Sequence, residues 1–539
     1  MLKKLIPFII AVPALFLLFI FKIIPAFYTL LISFKDYKVL NGISGSPWVG
    51  MDNYGALFQS MTFTKLIDNT LIISTFSLIL TAFLALVLII CICKMPNKWC
   101  KICAIAILSV PAFIPVASYV GVFMKAFSID SGFINRLITS TGKEPILFFA
   151  DKALYPLLFA IMDSLRNIFV PVIIGVLVCE NKNKISFKSI ATVLLGYIAA
   201  RATVLMSPDI ELLHITNNPL VNETVDVFDT YSIRSGLMSM QFASSSAAWV
   251  VKTIIQLLIN ITVYFVLSLL APKISEAVKG ISNKVNKSLD SIVAIIGYLL
   301  LASGSIAVII LIFLPVSGNI FQGMKLLMTN KAFIDSVAVS LMYCIIGSIV
   351  YGFITIALSY PLTVKTKIYP ILLVIFISLI NNFTGEYLFS KSMGMFNAVI
   401  PVILYPGLSV AGAFALYFSI SGRFRDGIPG IVQYLKEAIL PLLTIVVLYF
   451  IANWGGYIYQ MVFLSNTRMH GIGLLGMQLL TTREASNVAV TSITSDMIEN
   501  VKLAFFLISS VIPVLLGTVL IFLSKYLPLS AFVSQLRKS

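Results

Sequence analysis

The chain is 539 residues long, 59% hydrophobic and only 11% charged, with a formal net charge of +16. A soluble enzyme has no means of shielding that much apolar surface, since soluble domains carry about 25% charged residues. The continuous, non-alternating apolar runs argue against a β-barrel, and Lys and Arg collect in short loops of the kind that face cytoplasm and anionic lipid, so nucleic acid is not an expected partner.

The N-terminal stretch MLKKLIPFIIAVPALFLLFIFKIIPAFYTLLISF has a positive start, but its apolar run is too long for a signal peptide and no A-x-A site follows. It reads as an uncleaved first helix. Apolar runs of spanning length then predict about twelve transmembrane helices in two sets of six. The first set covers roughly 6–31, 67–93, 102–126, 154–179, 189–207 and 247–271. The second covers roughly 290–316, 335–362, 369–383, 397–420, 438–463 and 499–525. Cys91, Cys93, Cys100 and Cys103 flank the loop KMPNKWCK; a zinc site and plain reduced thiols are both readings of this cluster, and the spacing is not that of a standard zinc ribbon. With His214 and His470 as the only histidines and no paired motif, nothing points to a metal or hydrolytic centre, and neither a cofactor nor an enzymatic activity is expected.

The loops near residues 94–101, 180–188, 272–289, 365–367 and 423–436 carry the basic residues. The positive-inside rule then puts both termini in the cytoplasm of a multi-pass cell-membrane protein. The stretch APKISEAVKGISNKVNKSLD reads as a connector, which divides the chain into a first membrane half (1–275), a cytoplasmic linker (276–289) and a second membrane half (290–539). A few polar residues sit within the apolar runs. Asp163 and Arg166 are three apart and share a helix face, where they can pair. Arg201 is similar. These three, with Asn453 and Trp454 before Gly455-Gly456, are candidates for a translocation path, because ionisable groups at membrane depth face a bundle interior or a wet route. Structural pairing and close helix packing explain the same residues.

Several strings resemble a known family. PWVGMDNYGALF (47–58), SVPAFIP (109–115), SGFINRLI (131–138), EPILFFAD (144–151) and NPLVNETVDVFDTYSIRSGLMSMQFASSSAAW (218–249) look like one membrane subunit of ABC-type, binding-protein-dependent sugar importers. AFIDSVAVSLMYCIIGSIVYGFITIALSYPLTVK (332–365), GEYLFSKSMGMFNAVIPVILYPG (385–407) and NWGGYIYQMVFL (453–464) resemble the partner subunit. The resemblance implies an all-α polytopic protein of two six-helix halves fused in one chain. It also implies an oligosaccharide substrate, an extracellular solute-binding lipoprotein and a separate cytoplasmic ATPase. The chain has no G-x-x-x-x-G-K-[ST] of its own.

In that family each half couples to the ATPase through a short cytoplasmic helix with the pattern E-A-A-x-x-x-G. The first half has only ENKNKISFK at that place, too short for an exposed docking helix at about 1.5 Å per residue. The second half keeps a degenerate remnant, GRFRDGIPGIVQYLKEAILP. Its candidates for ATPase contact are Arg423, Arg425, Asp426, Gly427, Lys436 and Glu437. Three functions are therefore open: an ATPase-driven oligosaccharide permease, a degenerate homologue acting as scaffold or sensor with a solute-binding protein, and a secondary transporter.

Overall fold

The computed structural model describes residues 2–95, 97–129, 132–181, 187–277, 320–364, 366, 368–420, 424, 427–481 and 495–523. Among them the protein is helical, with one isolated β-bridge between Lys35 and Trp48. Six unbroken helices are long and apolar enough to cross a membrane, and the number rises to ten if each of four bent helix pairs is one span. The expected span 290–316 and most of the connector 276–289 lie outside the described residues.

In chain order, α1 (Lys4–Ser33) and α2 (Met61–Lys94) are long single helices. Ser60 caps α2 by accepting a hydrogen bond from the Phe63 N–H at 3.2 Å. Next come α3 (Lys98–Phe113) and α4 (Val116–Ala126), an apolar pair bent by 98°. The cause is local: Ile114 precedes Pro115 and is held extended (φ −70°, ψ 133°), because the proline ring disfavours the helical conformation before it. α5 (Tyr155–Asn167) and α6 (Phe169–Asn181) follow with a 42° bend near Pro171, then α7 (Phe187–Ala202), the short α8 (Ile210–Thr216) and the long α9 (Phe242–Ala277).

The second half repeats this order. After a helix at Ile320–Thr329 comes the long α10 (Lys331–Ser359). The broken pair α11 (Ile368–Ser378) and α12 (Phe383–Ser392) is bent by 89°. Here Asn381 takes a left-handed φ of 53° and Asn382 caps α12. α13 (Val399–Gly407) and α14 (Ala411–Ile420) bend by 41° beside Pro406, followed by α15 (Ile431–Trp454), the short α16 (Ile458–Phe463), α17 (Ile472–Thr481) and α18 (Ser495–Leu523). Successive bends of 98° and 42° in the first half thus meet bends of 89° and 41° in the second.

The halves are interleaved and share a core. α9 packs on α11 and α12, and α18 packs on α3 and α4, so each half lays its last long helix against the other's broken pair. Polar side chains fix both contacts. Asn260 of α9 donates to Ser378 at 2.8 Å, and Ser118 of α4 bonds Ser509 of α18 at 2.8 Å. Gly517 admits the Phe113 ring and Gly121 admits the Phe506 ring, as small residues do where helices approach closely in lipid. Ala11, Ala14 and Leu18 of α1 cross over to pack on Ile354, Ala357 and Leu358 of α10. The largest apolar core mixes both halves, with Tyr119, Tyr155 and Phe159 beside Phe383, Tyr405 and Tyr457.

Candidate functional site

Two of the helix breaks meet. A Cβ at Gly455 would stand 2.6 Å from the Pro115 Cβ, so the break after α15 meets the break between α3 and α4 backbone to backbone. Breaking a helix frees carbonyls that need donors. Arg166 supplies them: its guanidinium donates to the Ile114 oxygen at 2.9 Å and the Pro111 oxygen at 3.3 Å, and lies 5.2 Å from the centre of the Tyr119 ring.

The pairing expected from sequence spacing is corrected here. Asp163 is 1% exposed and its salt bridge goes to Arg201 on α7 at 3.1 Å, with Asn167 also donating to it at 2.9 Å. Arg166 is turned to the helix break instead. Sharing a face brought the two residues near each other, but the freed carbonyls claimed the guanidinium. Asn453 donates to the Tyr449 oxygen in its own helix at 2.9 Å. Trp454 is buried, stacks on Phe450 and donates to the Ser509 oxygen at 2.8 Å.

Three buried polar ties bridge the halves, none of them singled out from sequence. The first is at α8: the Glu211 carboxylate accepts from the N–H groups of Tyr457 (2.7 Å) and Ile458 (3.3 Å), and the Tyr457 hydroxyl donates to the Glu211 backbone oxygen at 2.8 Å. His214 Nδ1 stands 3.2 Å from the same hydroxyl. Glu211 as a residue is partly exposed, but its carboxylate end is enclosed by protein; this burial and the nearby Asp209 push its pKa up to about 7 against the pull of the two N–H donors and Arg166. Burial lowers the pKa of His214.

The second tie joins Lys252 of α9 to Asp229 at 2.6 Å, with both side chains 1% exposed. Asn381 donates to the other Asp229 oxygen at 2.7 Å, and Lys252 and Trp249 each donate to the Ile380 oxygen at 3.2 Å, so the break between α11 and α12 is held by the first half. The third joins Lys22 of α1 to Glu386 of α12 at 2.8 Å. A lone lysine inside an apolar run was the available sequence signal for Lys22 and Lys252.

At the other end of the second half, Gly427 has a φ of 135°, a conformation open to glycine. Tyr360 donates to the Pro429 oxygen at 2.8 Å, and Tyr434 donates to Ser359 at 2.6 Å. Lys436 is exposed and Glu437 half-buried at the start of α15. Arg423, Arg425 and Asp426 lie outside the described residues, as do residues 182–186 between α6 and α7.

No protein-family model matches the sequence. The chain is 23% identical over 271 residues to Protein LplB of Bacillus subtilis (strain 168), an overlap of 47% of this chain and 85% of that protein. It is also 23% identical over 271 residues to the polygalacturonan/rhamnogalacturonan transport system permease protein YteP of the same organism, over 47% of this chain and 84% of YteP. A bacterial ABC transporter that imports the acidic polysaccharide alginate superposes on 47% of this chain and 92% of its own, with a TM-score of 0.40 and 20% identity. The chain is a distant relative of ABC-type carbohydrate-import permeases, which are transport proteins and not enzymes.

Proposed function

We propose that this chain forms the membrane path of an ABC-type oligosaccharide importer, with two permease halves fused in one polypeptide. The observation that carries this reading is the repeat. Each half has a long helix, a broken pair bent by close to 90°, a pair bent by close to 40°, and a long last helix that crosses to the other half's broken pair. Two copies of one permease plan, facing each other, have that form. The relatives match over about half of this chain and most of their own length, as one copy would. A polygalacturonan/rhamnogalacturonan permease among them supports a carbohydrate cargo.

In this reading a cytoplasmic ATPase supplies energy, an extracellular solute-binding lipoprotein delivers the oligosaccharide, and the path runs between the halves with both termini in the cytoplasm. Asp163, Arg166 and Arg201 shape its polar wall on the first-half side. Asn453 and Trp454 shape the facing break. Arg423, Arg425, Asp426, Gly427, Lys436 and Glu437 form the ATPase-facing end. Affinity purification of the full chain from native membranes, with identification of co-purifying proteins, tests the reading: an ATPase and a solute-binding protein are expected. Recovery of neither, together with no ATP-dependent sugar uptake in liposomes, refutes it.

One observation favours a second reading, a homologue that binds a solute-binding protein but no longer transports. α6 ends at Asn181 and α7 begins at Phe187, which leaves five intervening residues where a coupling helix of two turns would need about seven. ATP-dependent uptake by the reconstituted complex would exclude it.

A further inference from the structure

The seam between the halves contains a polar cluster that helix packing does not explain. A π-helical turn, Phe19–Ile23, interrupts α1 and carries Lys22; such turns recur at functional sites. Lys22 meets Glu386 with side-chain exposures of 10% and 0%. A buried ion pair at membrane depth adds little stability over apolar residues of the same shape, and its usual meaning is a ligand or ion route.

The cluster also has unused hydrogen-bonding capacity. Glu386 Oε2 has no hydrogen-bond partner, and neither has Asn382 Nδ2 one turn earlier on the same face. Asn382 Oδ1 accepts from the Gly385 N–H at 3.3 Å and stands 2.7 Å from Thr29 Oγ1, whose single proton is shared with the Pro25 oxygen at 3.0 Å. A buried donor or acceptor left unpaired is costly, so both atoms favour a ligand that supplies the missing bonds. Beside them stands a flat aromatic stack. The Tyr405 and Tyr459 rings are 6.0 Å apart at 17°, and Lys22 lies 5.5 Å from the Tyr405 ring centre.

A cation, an amide donor, a carboxylate acceptor and aromatic faces match what a pyranose ring presents: hydroxyls in both hydrogen-bonding roles and an apolar C–H face. We propose that Lys22, Asn382 and Glu386, backed by Tyr405 and Tyr459, form a binding site for one ring of a hydroxyl-rich oligosaccharide, opened when the halves part. The proposal rests on the permease reading in placing the path between the halves. Lys22 comes from the first half and the other four from the second, so separation of the halves exposes the unused atoms together.

The test is sugar binding to the purified full chain in nanodiscs, followed by tyrosine and tryptophan fluorescence, with maltotriose as the neutral probe and trigalacturonic acid as the acidic one. One of the probes binds the wild type, and binding weakens at least tenfold in Glu386→Gln and in Tyr459→Leu. Gly196→Ala, in α7 with nothing within 4 Å of the added Cβ, binds as the wild type does. Wild-type protein that binds neither probe, or seam variants that bind undiminished, overturn the proposal. If ATP-dependent uptake occurs and survives both seam variants, the seam fails and the permease reading stands. If seam-dependent binding occurs without uptake, the site stands and the coupled permease reading fails.

Discussion

Replacing Glu211 with glutamine tests how the two halves are tied. In the fold the Glu211 pKa is raised from 4.5 to about 7, chiefly by burial and secondly by Asp209. A carboxyl whose folded pKa is raised contributes stability below its unfolded pKa, and that contribution is lost as pH climbs through the folded value. Its window is therefore pH 4.5 to about 7. At 1.36 kcal/mol per unit the full shift corresponds to about 3 kcal/mol. Solvent at the partly exposed edge of the residue screens it, so about 1–3 kcal/mol is expected. The amide oxygen of glutamine can still accept from the Tyr457 and Ile458 N–H groups, and the buried negative charge is gone. In a thermal-shift series from pH 5 to 8, Glu211→Gln should melt a few degrees above the wild type at pH 8, and the gap should shrink to about a quarter of that at pH 5. His214 acts in the opposite sense, since its lowered pKa makes its contribution fall as pH drops; the difference between the two curves isolates Glu211. A glutamine variant less stable than the wild type at pH 8, or a difference curve flat with pH, would refute the reasoning.

Three more outcomes follow from the geometry. Gly455→Ala should destabilise by about 1–3 kcal/mol, because its Cβ would stand 2.6 Å from the Pro115 Cβ, whereas Gly196→Ala, in a helix with nothing within 4 Å, should be neutral or stabilising by thermal melting. Asp163→Ala leaves the Arg201 guanidinium without its carboxylate; a loss of about 1–3 kcal/mol is expected, less than for a fully buried pair because Arg201 is 29% exposed, and a concurrent Arg201→Met should recover much of it. Tyr434→Phe removes the 2.6 Å bond to Ser359 and should cost about 1 kcal/mol with little change in fold, read by melting and circular dichroism.

Most of the helical plan was legible because its signals are one-dimensional. Long apolar runs predict spans, and ten of the expected positions coincide with a long helix or a bent pair among the described residues, with α7 shorter than expected. Less legible was how sharply Pro115 and the Asn381-Asn382 step would turn their helices, since a proline or asparagine marks a break without giving its angle. The candidate path was read in fragments. Asp163, Arg166 and Arg201 stood out as charges in apolar runs, but spacing suggested the wrong partner for Asp163. Lys22, Glu211 and Glu386 passed unnoticed because their partners lie in the other half, more than a hundred residues away, and Lys252 because Asp229 sits outside its helix, on a separate segment.

What the sequence determines by itself is the solvent and the scaffold. An 11% charge content and repeated apolar runs commit the chain to lipid, where backbone groups are satisfied within helices. What only the tertiary structure decided is which broken helix faces which, and which buried charge meets which. Those choices depend on two halves docking with their last helices exchanged, a long-range arrangement that no local pattern encodes. Arg166 shows the difference: its neighbours along the chain offer it Asp163, and the fold gives it the carbonyls of a broken helix instead.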